Sequence, residues 1–154
     1  MKSQIYQTES EDETIALGEK LAAELPAKAV VLLIGQLGAG KTTFAKGIVK
    51  GLGAAVPEDV SSPTFTLIHE YSRAVLNHDR EGVAVYHIDL YRLDTAAQVA
   101  TLGLDDIFDR RAVVLIEWGE RFPDLMPSDR IEIRLRGTGE CSREIEVQWN
   151  QSSP

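Results

Sequence analysis

The apolar positions change their period several times along the chain, and each change marks an element. Leu17, Leu21 and Leu25 recur every four residues, one stripe of a helix. Ser10 and Glu13 precede the stripe at the spacing of a capping box and Pro26 follows it, so helix start and stop are both marked. Ala29-Val30-Val31-Leu32-Leu33-Ile34 has no polar face, which predicts a central parallel strand covered on both sides. Ala112 to Ile116 repeats that pattern. Phe44, Ile48 and Leu52 predict a second helix, with Gly53 placed to cap its C-terminus. Phe65 to Tyr71 and Val83 to Leu90 read as strands, the latter ending in Asp89. A short helix follows from Thr95 to Leu102, capped by Asp94 and ended by Gly103. Near the end, Ile131/Ile133/Leu135 and Ile145/Val147/Trp149 alternate strictly around Gly137-Thr138-Gly139, a hairpin with one buried face. Ala54 to Ser62 and Ser72 to Gly82 read as loops, the second an exposed surface turn.

Strands alternating with helices predict an α/β fold. With 154 residues, no internal repeat and no linker, the expectation is one domain over 1–154. Composition adds exclusions. The N-terminus lacks an apolar h-region, which argues against a signal peptide. Ala29 to Ile34, the longest apolar run, is far short of the roughly 18 residues of a membrane helix. A cytoplasmic protein with no membrane partner is expected. Cys141 is the only cysteine, so no intrachain disulfide can form. The net charge of −8 opposes autonomous nucleic-acid binding. Lys46 and Lys50, the basic residues nearest Lys41, read as a solvated helix face, so any nucleic-acid role is indirect.

The chemistry lies between the first buried strand and the second helix. Gly35-Gln36-Leu37-Gly38-Ala39-Gly40-Lys41-Thr42, continued by Thr43, meets the Gly-x-x-x-x-Gly-Lys-Thr pattern of a phosphate loop. Its glycines let backbone N–H groups point inward around a β-phosphate, and the helix N-terminus adds partial positive charge. Lys41 is expected to bridge the β- and γ-phosphates, and the Thr42 hydroxyl to ligate Mg²⁺. Such a site also needs a carboxylate at a neighbouring strand end, to hold metal or orient water. Asp89 and Glu117 are the two candidates for metal and catalysis, and spacing does not divide the roles between them. Thr64, in Ser62-Pro63-Thr64-Phe65-Thr66-Leu67, stands where P-loop switch proteins supply a threonine to metal and γ-phosphate, and equally where Pro63 would give a strand a rigid start. Trp118 is a candidate to stack on a base or to sit in the core. His69, His78 and His87 have no metal-ligand spacing.

A GTPase would carry Asn-Lys-x-Asp, but neither Asn77 nor Asn150 precedes a lysine, so ATP and ADP are favoured. Two other readings share the loop: a small-molecule kinase, for which Arg110-Arg111 is thin support, and a nucleotide-gated binding module. Four blocks then narrow the choice: GQLGAGKTTF (35–44), SPTFTL (62–67), HIDLYRL (87–93) and IEW (116–118). In their order and spacing the chain resembles the TsaE (YjeE) family, from about Ser10 to Trp118. That resemblance implies a P-loop NTPase fold with a mixed, mainly parallel central sheet, flanking helices and a C-terminal antiparallel hairpin. It implies a Mg²⁺-dependent ATPase acting with TsaD and TsaB in threonylcarbamoylation of the tRNA adenosine beside the anticodon, with tRNA met only through the complex. The family member does not itself transfer the group; its ATP cycle resets the complex. The match carries phosphate binding onto Gly38, Gly40, Lys41 and Thr42, a switch role onto Thr64, metal or catalytic roles onto Asp89 and Glu117, and a nucleotide-side role onto Trp118. Gln36 departs from the family's usual Asp, at a position that contributes mainly backbone.

Overall fold

A mixed seven-stranded sheet runs through the chain in the order β1-β7-β6-β2-β5-β4-β3. The computed structural model describes residues 2–54, 60, 67–72 and 84–150. The elements are β1 (Lys2–Thr8), α1 (Glu11–Ala22), β2 (Ala29–Ile34), α2 (Lys41–Gly51), β3 (Ile68–Ser72), β4 (Ala84–Asp89), α3 (Ala96–Ala100), α4 (Leu104–Phe108), β5 (Ala112–Glu117), β6 (Arg130–Gly137) and β7 (Arg143–Asn150). The central pairings β6–β2, β2–β5 and β5–β4 are parallel. Antiparallel pairs close both flanks: β1–β7 and β7–β6 on one side, β4–β3 on the other. This is the expected mixed sheet with its C-terminal hairpin.

The all-apolar strands are central because both of their faces are covered. Val31, Leu33, Val113 and Leu115 pack on one face with Leu21, Phe44 and Ile48 of α1 and α2. Val30, Leu32, Val114 and Ile116 pack on the other with Val99, Leu104 and Ile107 of α3 and α4. Each such side chain contributes about 1.5–3 kcal/mol by leaving water. No helix among the described residues is long and apolar enough to cross a membrane.

Helix ends follow from local chemistry. The Glu13 N–H donates to Ser10 Oγ at 3.1 Å, a cap of about 1 kcal/mol. The Glu13 carboxylate accepts from the Glu9 N–H at 3.1 Å, one residue before the partner a capping box would use. At the end of α2, Gly53 adopts φ +71°, its N–H donates to Lys50 O, and the Ala54 N–H reaches Val49 O. These are the bonds of a Schellman stop. The two helices pack through Gly18 of α1 and Gly47 and Gly51 of α2, where any Cβ would meet the facing backbone.

Four elements differ from the sequence expectation. β1 was not anticipated, because only Ile5 and Tyr6 in it are apolar and Ile5 is 61% exposed. It is an edge strand held by its ladder to β7, where Lys2 faces Trp149 and Thr8 faces Arg143. Thr95, not Asp94, caps α3: its Oγ accepts from the Gln98 N–H and the Gln98 side chain accepts from the Thr95 N–H. Beyond Gly103, whose φ is +72°, the chain starts the separate helix α4. β3 begins at Ile68, while Phe65, Thr66 and Val83 lie outside the described residues.

Candidate functional site

The loop from Gly35 to Gly40 joins the buried end of β2 to α2, and close backbone contacts set its shape. A Cβ on Gly35 would lie 2.7 Å from Leu135 O, so the loop can lie against the end of β6 only with glycine there. The Ala39 N–H closes a turn onto Gln36 O at 3.0 Å. Gly40 takes φ +101°, a left-handed conformation natural only to glycine, and supplies no side chain to cap α2. The first amides of α2 are therefore left for an anion.

Lys41 opens α2 and folds back over the loop, its ammonium donating to Gly35 O at 2.7 Å. The same Nζ lies 3.4 Å from the centroid of the Trp118 ring, a cation–π contact. Burial pushes the Lys41 pKa down from its ordinary value, and the nearby carboxylates of Glu117, Glu120 and Asp89 pull it up. Thr42 follows on the inner side, its hydroxyl donating to Glu117 Oε2 at 3.1 Å.

Both strand-end carboxylates converge here. In the parallel β4–β5 ladder Asp89 and Glu117 stand in register, so they project to the same face, that of α2. Both are buried. Asp89 Oδ1 accepts from the Tyr91 N–H at 2.8 Å, which tightens the turn leaving β4. Glu117 Oε2 also contacts His87 Nε2 at 2.6 Å, and His87 is fully buried. Trp118 then turns the chain out of β5 with φ +68°, a strained backbone for a non-glycine residue. Gly119 follows against Ile116, Met126 and Leu32, where a Cβ would already be at 3.0 Å from two of them.

Together these residues line a cleft of about 350 Å³. The phosphate loop supplies Leu37, Gly38 and Gly40, and α2 supplies Lys41, Thr42 and Thr43. Asp89, Glu117 and Trp118 form the opposite wall with Tyr91, whose ring lies 5.1 Å from that of Trp118. Gly35, Gln36 and Ala39 belong to the loop behind this lining. Thr64 lies outside the described residues. Lys41 is the only cation that lines the cleft among the described residues. A hydroxyl and two carboxylates are hard oxygen donors, the set suited to Mg²⁺. Among the described residues no cluster of three or more His, Cys, Asp or Glu could cage a metal by itself. Mg²⁺ is ordinarily held by one or two carboxylates and completed by phosphate oxygens.

Three contributors escaped the sequence reading. Arg143, at the start of β7, donates from Nη2 to Gly38 O at 3.2 Å, so the hairpin braces the phosphate loop across 105 residues of chain. Arg121 donates to Tyr91 O at 2.9 Å and Leu93 O at 3.0 Å, tying the loop after Asp89 to the turn after Glu117. Glu120 is half-buried and its Oε1 has no partner among the described residues. Burial raises its pKa, and Lys41, Arg134 and Arg121 pull the other way. An arginine shortly after a strand end was a weak signal for Arg121; nothing local marked Arg143.

Comparison with known proteins adds an independent line. A family model described as threonylcarbamoyl adenosine biosynthesis protein TsaE matches residues 8–145. The tRNA threonylcarbamoyladenosine biosynthesis protein TsaE of Bacillus subtilis (strain 168) is 39% identical over 145 residues, covering 94% of this chain and 85% of its own. The protein of the same name from Nostoc sp. is 41% identical over 141 residues, covering 88% and 80%. The crystal structure of Bacillus subtilis YdiB superposes with a TM-score of 0.74 and 33% identity, covering 97% of this chain and 86% of that one.

Proposed function

The chain belongs to the TsaE family of tRNA threonylcarbamoyladenosine biosynthesis, and from that premise we propose that it is a Mg²⁺-dependent ATPase working as a single P-loop domain. It acts in the cytoplasm with TsaD and TsaB, hydrolysing ATP to ADP and phosphate to drive the cycle of the modifying complex, and meets tRNA only through those subunits. The observation that carries this reading is the convergence of Lys41, Thr42, Asp89 and Glu117 on one cleft beside a glycine-rich loop.

In this reading each group has a task. The loop amides and the α2 N-terminus receive the phosphates. Lys41 exchanges its bond to Gly35 O and its place over Trp118 for phosphate oxygens, and its charge answers the one that develops on the γ-phosphoryl oxygens. Thr42 with Asp89 or Glu117 would hold Mg²⁺, which when bound neutralises phosphate charge. Whichever strand-end carboxylate is not committed to the cation orients the attacking water. Gly35, Gln36, Leu37, Gly38, Ala39, Gly40 and Thr43 contact the nucleotide, and Trp118 closes the cleft on the nucleotide side. With no arginine lining the cleft among the described residues, the isolated chain hydrolyses slowly, since an arginine finger contributes ~10³–10⁵ in rate.

The kinase alternative is not favoured by the family. γ-Labelled ATP tests what remains: with the partner subunits present, label is expected in inorganic phosphate alone, and label on a small-molecule acceptor would refute the proposal. Glu117→Gln is expected to bind ATP and lose at least about 10²-fold in hydrolysis, the low end for a positioned acid–base group. Full turnover in that variant would remove Glu117 from the chemistry.

A further inference from the structure

His87 is a fully buried imidazole that none of the roles above employs. It stands on β4 two residues before Asp89, on the same face of the sheet, and pairs in register with Leu115, two residues before Glu117. The ring thus lies directly beneath the two carboxylates. Its Nε2 is 2.6 Å from Glu117 Oε2, the oxygen that also accepts the Thr42 hydroxyl at 3.1 Å. With Glu117 ionised, its carboxylate only accepts, so Nε2 is the donor of this contact. Nδ1 is buried and has no partner among the described residues, so Glu117 provides the ring's one hydrogen bond there. An apolar side chain would have filled this position on a sheet face otherwise built of Val85, Val113 and Leu115. A polar group held in such surroundings at the expense of an unsatisfied nitrogen points to a task for the other nitrogen.

We propose that His87 is a positioning residue: its Nε2–H fixes the Glu117 carboxylate so that Glu117 and Thr42 face the cation site as a preset pair. The inference rests on the proposed Mg²⁺–ATP reading of the cleft. Removing the donor leaves the phosphate loop and Lys41 as they are, but lets the Glu117 side chain rotate. Binding of nucleotide without metal should then survive, while the advantage conferred by Mg²⁺ is lost.

The test compares His87→Gln, which keeps an N–H near the Nε2 position, with His87→Asn, which is polar but too short to reach Glu117, and with His87→Leu. Equilibrium binding of a non-hydrolysable ATP analogue is measured with and without Mg²⁺, together with thermal unfolding. The Mg²⁺ dependence of hydrolysis is recorded in the presence of TsaD and TsaB. In the Asn and Leu chains, the expected result is metal-free binding within about twofold of the unaltered chain. The same chains should show a roughly tenfold smaller gain from Mg²⁺ and a roughly tenfold higher Mg²⁺ requirement for turnover, the size of a charge-assisted hydrogen bond. The Gln chain should behave as the unaltered one. Unchanged Mg²⁺ dependence in Asn and Leu, equal damage in Gln, or failure of both Asn and Leu chains to fold would each overturn the positioning role and leave the parent reading intact. An unaltered chain that ignores Mg²⁺ or binds no nucleotide would overturn both.

Discussion

Replacing Gly47 by alanine sets two effects of opposite sign against each other at the helix pair that carries the site. On a free helix the change stabilises by about 1 kcal/mol, because glycine is the poorer helix former. Here the added methyl would sit 2.9 Å from Ile15 C and 3.0 Å from Glu19 N, and closer still to the Ile15 carbonyl oxygen. Carbon contacts are ordinarily about 3.5–4.0 Å. The obstacles are backbone atoms of α1, not side-chain ends that rotate away, so one helix must move. Overpacking of this kind costs about 1–3 kcal/mol. With backbone on both sides, the upper end applies, and after the propensity gain about 2 kcal/mol of destabilisation remains. For a chain of this size that is roughly 4–8 °C in Tm. Because α2 begins with Lys41 and Thr42, its displacement should also weaken nucleotide binding. Calorimetric unfolding of the two proteins, with and without nucleotide, reads both effects. An unchanged or raised Tm in Gly47→Ala would mean that propensity outweighs packing here.

Two further predictions concern residues that the sequence did not mark. Arg143→Ala removes the bond to Gly38 O and should weaken nucleotide binding about 3–10-fold, matching a net hydrogen bond of about 0.5–1.5 kcal/mol, with little change in Tm. Titration calorimetry checks this, and equal affinities would show that the loop holds its shape without the hairpin. Burial raises the Glu120 pKa above its ordinary 4.5, so folding favours its protonated form and its ionisation costs stability as pH rises from that value through the raised one. Glu120→Gln should accordingly gain stability relative to the unaltered chain at neutral pH and lose that gain below about pH 4. A difference independent of pH would contradict this account.

What was legible in the sequence was what local chemistry specifies. The phosphate loop is contiguous, and its flanks could be read from period alone: Ala29–Ile34 is apolar on both faces, and Phe44, Ile48 and Leu52 share one. Asp89 and Glu117 could be named because each closes an apolar run, but their facing one another depends on the β4–β5 register, which no single strand reveals. His87 has no local signal for its role, since its partner Glu117 lies 30 residues away on the next strand. Arg143 reaches the loop because β6 and β7 lie beside β2, a topological fact without a sequence signature. β1 escaped because an edge strand held by backbone bonds needs few apolar residues. α3 was overextended because Val99 and Leu102 continue a helical spacing through a capped turn that ends at Ala100.

Whether the cleft hydrolyses ATP under the control of partner subunits can be read from phosphate release. The purified chain is assayed alone and with TsaD and TsaB, beside Lys41→Ala. Slow turnover alone, stimulation by the two subunits together, and loss of both in Lys41→Ala are expected. Brisk turnover that ignores the subunits, or stimulation that survives the loss of Lys41, would contradict the proposed function.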